Sequence, residues 1–170
     1  YMSQTIDDFR NFYKPSKGKR RFDIKESIIQ SSKIVKSSLE KNSIKLEIEA
    51  IKIEIDNYEN EFEQVIVNIL NNAIDAKIIK EKQEKFQAKI KIKIYKEEEK
   101  IHICIFNNCG NIDEKIIERI FEPYFTTKFE NQGTGIGLYM TKVIIEKNMN
   151  GKIEAQNKDD GVEFLITLNA

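Results

Sequence analysis

Apolar residues recur along this chain at two spacings, and the switches between them divide it into elements. Met2, Ile6, Phe9 and Tyr13 fall at helical spacing, which predicts a helix over 1–13 that Pro15 and Gly18 stop. Residues 17–21 are charged or small and read as a linker. Asp23 is placed to N-cap a second helix over about 24–39, with Glu26 in its first turn. Its apolar stripe is Ile24, Ile28, Val35 and Leu39, flanked by Ile34. Ile44-Lys45-Leu46-Glu47-Ile48 then alternates as a strand does, and Ile51-Lys52-Ile53-Glu54-Ile55 predicts another. Helical spacing returns over about 60–82. Alternating runs at 89–95 and 101–106 predict a hairpin closed by a Glu/Lys turn. A polar turn over 107–111 follows, then a short helix over 113–119 and a bend at Pro123. Residues 126–134 have little periodicity and read as a mobile loop. A last helix is predicted from there to about 148 and is ended by Gly151. Strands 152–156 and 162–168 close the chain around Asp159-Asp160-Gly161.

Helices and mostly antiparallel strands, without alternating βαβ units, predict an α+β fold. The natural packing is a two-layer α/β sandwich: a mixed, mostly antiparallel sheet with helices on one face. The chain's 170 residues suffice for one domain with a real core. Lysine plus arginine (28) balances aspartate plus glutamate (28), so no net charge favours nucleic acid. The lysines alternate with isoleucine, as in Lys89-Ile90-Lys91-Ile92, which is a solvated strand face rather than a basic patch. Two cysteines, Cys104 and Cys109, suggest neither a zinc site nor a disulfide framework, and a reduced, cytoplasmic setting is expected. No apolar run approaches a membrane span and no signal peptide is visible. Tyr1-Met2-Ser3 already falls inside a predicted helix, as in a piece cut from a longer protein. Such a protein has room upstream for an inner-membrane anchor, although direct membrane contact of this stretch is not expected.

Candidate chemistry sits in two places. In Gly133-Thr134-Gly135-Ile136-Gly137-Leu138, glycines at every second position open onto an apolar helical run. Backbone that approaches a ligand closely, followed by a helix N-terminus, describes a cradle for a polyphosphate. Upstream, Phe62, Val65, Ile66, Ile69 and Ala73 share one helical face, while Asn68, Asn72 and Asp75 stack on another. Asparagine is a poor helix-interior residue because its side chain competes for the backbone. One reading is a solvated polar stripe. The other is that carboxamide oxygens hold a hard cation or phosphate-bound water. Mg²⁺ needs few protein oxygens when phosphate and water complete its shell, and the glycine cradle favours this second reading.

On these residues the chain resembles the ATP-binding domain of sensor histidine kinases, in the superfamily shared with type II topoisomerase, mismatch-repair and chaperone ATPases. Residues 65–76 are similar to that family's N box, and Gly133 to Leu138 to its second glycine box. Ile120-Phe121-Glu122-Pro123-Tyr124-Phe125-Thr126-Thr127-Lys128 is similar to its F box. The resemblance implies a Bergerat-type sandwich that takes ATP and Mg²⁺ between the N-box helix and a lid at 126–134. By it, Asn72 is the Mg²⁺ ligand and Asn68 positions phosphate and nucleophile. Phe121, Thr127 and Lys128 belong to the site, with Lys128 near the phosphates, which meet Gly133, Thr134, Gly135, Ile136, Gly137 and Leu138. Asp75 matches the motif and reads equally well as a surface charge.

The first glycine box departs from the family pattern. It reads Asn107-Asn108-Cys109-Gly110-Asn111-Ile112, with Asn107 in place of the aspartate that accepts a hydrogen bond from the adenine amino group. An asparagine oxygen can accept the same bond without charge assistance, at a loss of ~1–2 kcal/mol. Asn111 replaces a glycine, and asparagine tolerates left-handed backbone. Two readings stay open: a working ATP site, or a degenerate domain that serves interaction or supports phosphatase output. The hydrolytic relatives carry a glutamate general base at the position of Asn68, and an amide has no useful basicity. The resemblance therefore implies phosphoryl transfer to an external histidine rather than free ATP hydrolysis. Residues 1–14 resemble the end of the second dimerisation helix, 15–21 a linker and 22–170 the catalytic domain. The phosphoacceptor histidine then lies upstream, because His102 sits in a predicted strand and reads as structural. The implied partners are the protein's own dimerisation domain and a response-regulator receiver domain. The longer protein is expected to be a homodimer, and this stretch a monomer or weak dimer.

Overall fold

Strict alternation of isoleucine with lysine builds the centre of the molecule. In the computed structural model, which describes residues 18–125 and 135–170, β4 (Lys89–Glu97) turns Ile90, Ile92 and Ile94 inward and its lysines outward. β5 (Lys100–Asn107) does the same with Ile101, Ile103 and Ile105. Around this hairpin lie β2 (Lys45–Ala50), β6 (Lys152–Lys158) and β7 (Gly161–Asn169), in the order β2-β4-β5-β7-β6. β2 runs parallel to β4, and every other pair in this sheet is antiparallel. The fold is the expected α+β sandwich.

The second layer is helical. α1 (Ile24–Ile34) and α3 (Glu59–Glu81) lie together with α4 (Gly137–Val143), which runs into one π-helical turn (Ile144–Asn148). Phe62, Val65, Ile66, Ile69 and Leu70 of α3 are essentially fully buried. Each such side chain contributes roughly 1.5–3 kcal/mol on leaving water. This row fixes the rotation of α3, and so fixes which face carries its asparagines.

Several elements differ from the sequence reading. The helix expected over 24–39 breaks at Val35 (φ −102°, ψ 8°) and resumes as α2 (Lys36–Lys41). Just before the break, Ser31 and Ser32 donate back to the carbonyls of Ser27 and Ile28 at 2.8 Å, a local alternative that bends helices. Arg20 and Arg21, read as linker, belong to β1 (Arg20–Asp23), which pairs antiparallel with β3 (Glu54–Asn57) in a separate two-stranded sheet. The strand expected from residue 51 starts only at Glu54, because Asp23 Oδ1 accepts from both Lys25 N (3.2 Å) and Ile53 N (3.1 Å). Arg20 Nη2 stands 2.6 Å from Glu59 Oε2 as an ion pair without hydrogen-bond alignment. The short helix expected over 113–119 is only a 3-10 turn at Ile117–Arg119, since Asp113 Oδ1 caps Lys115 N (2.9 Å) in a tight turn. The helix expected over 1–13 and the loop at 126–134 lie outside the described residues.

Candidate nucleotide site

The buried row on α3 leaves Asn68, Asn71, Asn72 and Asp75 facing a cleft of about 870 Å³. Its other walls are the turn after β5, the start of α4 and the inner end of β7. Of the residues singled out in the sequence, Asn68, Asn72, Asp75, Asn107, Gly110, Asn111, Ile112, Gly135, Gly137 and Leu138 all line it. Ile136 and Phe121 do not. Ile136 is buried, and the Phe121 ring packs edge-on against Phe164 at 6.3 Å with Lys142 Nζ 5.5 Å above it. Thr127, Lys128, Gly133 and Thr134 lie outside the described residues.

Asn68 bolts the two main helices together. Its Nδ2 donates to Gly137 O and Thr141 Oγ1, each at 3.3 Å, and its Oδ1 accepts from Gln64 Nε2 at 3.1 Å. α4 therefore starts directly over the asparagine face. Its first-turn N–H groups follow Ile136, an N-cap residue with no side-chain acceptor to offer them. A Cβ on Gly137 would meet nothing nearer than Asn68 Cγ at 4.0 Å, so this end of the cleft is open. Gly135 is different. Its φ is 70° and its carbonyl accepts from Tyr124 N (2.9 Å), and any side chain there would overlap the Tyr124 backbone.

The turn after β5 is held by side-chain amides. Asn107 Oδ1 accepts from Cys109 N at 3.0 Å. Asn108 Oδ1 accepts from Lys89 N (2.8 Å) while its Nδ2 donates to Gln87 O (2.9 Å). Asn111 Nδ2 donates to the carbonyls of Gly161 (2.8 Å) and Asp159 (3.3 Å). The left-handed residue of the turn is Gly110 (φ 101°). Asn111 is not left-handed, so the tolerance invoked for it is not called upon. Gly161 is needed here for space, because a Cβ would strike the Asn107 carbonyl oxygen.

Three contributors escaped the sequence reading. Asn71 continues the asparagine face. Lys80, eight residues beyond Asn72 on the same helix, donates to Asn108 O (3.1 Å), pairs with Glu84 (3.5 Å) and sits 4.3 Å from the Phe86 ring. Extending the polar stripe of α3 by two turns would have found it. Asn157 clamps Ile112 from both sides, accepting from Ile112 N (2.8 Å) and donating to Ile112 O (2.6 Å), and only the fold brings it there. Cys109 also faces the cleft, but burial pushes its thiol up to about 11 against the pull of Lys80 and Lys77, so it is no nucleophile. His102 stacks on Tyr95 at 4.9 Å and is not among the residues lining the cleft.

The donor set is amide and carboxylate oxygen with backbone N–H. Among the described residues no group of three His, Cys, Asp or Glu could hold a metal alone. Hard oxygen donors without a complete cage suit an ion whose shell phosphate and water complete.

The histidine kinase-, DNA gyrase B-, and HSP90-like ATPase profile matches residues 57–170. The chain belongs to this family. Among curated proteins it is 35% identical over 109 residues to the two-component sensor PprA of Pseudomonas aeruginosa, covering 64% of this chain and 12% of that protein. It is 29% identical over 152 residues to sporulation kinase A of Bacillus subtilis, covering 88% and 23%. It thus spans less than a quarter of either relative. The solved catalytic domain of histidine kinase ThkA superposes with a TM-score of 0.77 at 29% identity, covering 90% of this chain and 96% of that one. A ThkA structure in complex with the response regulator protein TrrA superposes at 0.75, covering 99% and 47%. Its 23% identity speaks for the fold alone. Among the described residues no helix is long and apolar enough to cross a membrane.

Proposed function

We propose that this domain binds ATP with Mg²⁺ and presents the γ-phosphate to a histidine upstream, from which the phosphoryl group passes to a response regulator. The observation that carries this reading is the convergence of three distant segments, the asparagine face of α3, the turn after β5 and the start of α4, on one cleft. Bound ATP supplies the group to be transferred, and the chain supplies position and charge balance. Asn72, with Asp75 beside it, offers oxygen to Mg²⁺. Asn68 works mainly by placing Gly137, whose N–H and that of Gly135 meet the phosphates together with Gly133, Thr134, Thr127 and Lys128. The turn from Asn107 to Ile112 receives the base. The donors fit a phosphate-bound hard cation, and no side chain lining the cleft in the described residues is a histidine. The names of PprA and sporulation kinase A support a two-component kinase, and the TrrA complex of ThkA supports a receiver partner. In this reading the dimerisation domain lies outside 22–170.

The test is calorimetric titration of the chain with a non-hydrolysable ATP analogue, with and without Mg²⁺. Micromolar to sub-millimolar binding that needs Mg²⁺ is expected. No binding at millimolar analogue by a folded sample would leave the interaction or phosphatase-supporting role in its place.

A further inference from the structure

At the base end of the cleft, Asn107 is 7% exposed and is held from both sides. Its backbone is paired in β5 and covered by Gly161. Its Oδ1 accepts from Cys109 N at 3.0 Å. A backbone N–H can only donate, so the reversed amide would set two donors against each other, and the oxygen must take this end. The other end of the amide is Nδ2, which has no protein partner among the described residues. Glu59 Oε2 is the one fully buried side-chain polar atom among them without a hydrogen bond, so Asn107 Nδ2 is not sealed in the protein. It reaches the cleft that Asn107 lines.

We propose that Asn107 reads the base as a donor: its Nδ2–H meets a ring-nitrogen acceptor, N1 of adenine, and the exocyclic amino group is not its partner. This rests on the nucleotide-binding reading above. A planar amide fixed at its oxygen has no freedom to exchange ends without breaking the Cys109 bond. An amino group opposite Nδ2 would be donor against donor, whereas N1 accepts. The polarity at this point is therefore the reverse of what a carboxylate would present, and the Cys109 N–H sets it by orienting the amide.

The experiment compares three nucleotides by calorimetry on the 170-residue chain, each with Mg²⁺: ATP, its 1-deaza analogue (N1 replaced by C–H) and purine riboside triphosphate (amino group replaced by hydrogen). For the native chain the 1-deaza analogue is expected to bind about tenfold more weakly than ATP, the value of one hydrogen bond in a buried site. Loss of the amino group should change affinity less than about twofold. In Asn107→Asp the carboxylate keeps the Cys109 bond and offers an acceptor, so the pattern should invert: sensitivity to the amino group and tolerance of 1-deaza. Equal losses on both analogues, or a larger loss on removing the amino group from the native chain, overturn the donor assignment while the site reading stands. Binding of none of the three by a folded sample overturns both.

Discussion

Asn68→Ala separates two roles for the asparagine face. In the structure Asn68 joins α3 to α4 by bonds to Gly137 O and Thr141 Oγ1, and it also accepts from Gln64. At 3.1–3.3 Å these are long bonds, worth ~0.5–1 kcal/mol each. Thr141 is fully buried, and its hydroxyl would lose its partner, which places this contact at the upper end. Alanine is the better helix residue and returns ~0.5 kcal/mol. The balance is a loss of about 1.5–2 kcal/mol with no nucleotide present. For a domain of this length that lowers Tm by about 3–8 °C. The assay is thermal and urea unfolding of the free protein. The control is Asn71→Ala, one turn on, where the side chain is exposed and makes no interhelical bond, and Tm there should hold or rise slightly. A Tm for Asn68→Ala within about 1 °C of the native chain would refute the bolt and return Asn68 to a purely ligand-facing role.

Asn72→Ala should abolish Mg²⁺-dependent nucleotide binding in calorimetry while leaving the fold intact by circular dichroism. Unchanged affinity would remove Asn72 from the metal site. Burial first, and then the Glu59 charge, raise the Glu63 carboxyl above its ordinary 4.5. The folded state thus holds that proton more tightly, and stability falls as pH rises from 4.5 through the raised value. Glu63→Gln keeps an acceptor for Ser27 and should raise Tm at pH 7, with the two proteins converging in more acid solution; a lower Tm at neutral pH would contradict this. The Cys109 thiol, buried and pushed up to about 11, should resist alkylation at pH 8 in native protein and react at once in denaturant; rapid native labelling, mapped by mass spectrometry, would show that the turn opens.

The sheet was legible because its inner and outer residues differ at every second position. From 89 to 94 isoleucine marks the core and lysine the solvent, and on β5 Ile101, Ile103 and Ile105 alternate with half-buried His102, Cys104 and Phe106, so hairpin and face follow from the pattern. α3 was legible for the same reason at helical period, and its asparagines stood out because an apolar helix has no use for them. The errors fell where a side-chain to backbone bond outweighs periodicity. Serine back-bonding splits the helix at Val35, Asp23 turns residues 51–53 aside, and Asp113 tightens a helix into a 3-10 turn. β1 could not be read at all, because four residues beside a charged run gain their strand identity only from β3.

The site shows the limit more sharply. Its motifs name the residues on the three converging segments, but they do not say how each side chain is oriented. Asn107, Asn108 and Asn111 look alike in the sequence. One caps Cys109, one stitches the turn to the start of β4, and one ties it to the turn before β7. These assignments depend on where backbone donors and carbonyls lie: two residues on for Asn107, 19 residues back for Asn108 and 50 residues on for Asn111. Gly161 makes the same point from the other side. As a turn residue it asks only for conformational freedom, yet its place over the Asn107 carbonyl makes it a spacer that sets how deep the turn sits in the cleft. An acceptor free to meet a ligand is the natural inference from a motif at position 107, whereas in the fold Asn107 Oδ1 already accepts from Cys109 N–H, which fixes the orientation of the amide. Which end of the Asn107 amide is left for a ligand is therefore a property of the folded turn, and a one-residue comparison of motifs cannot supply it.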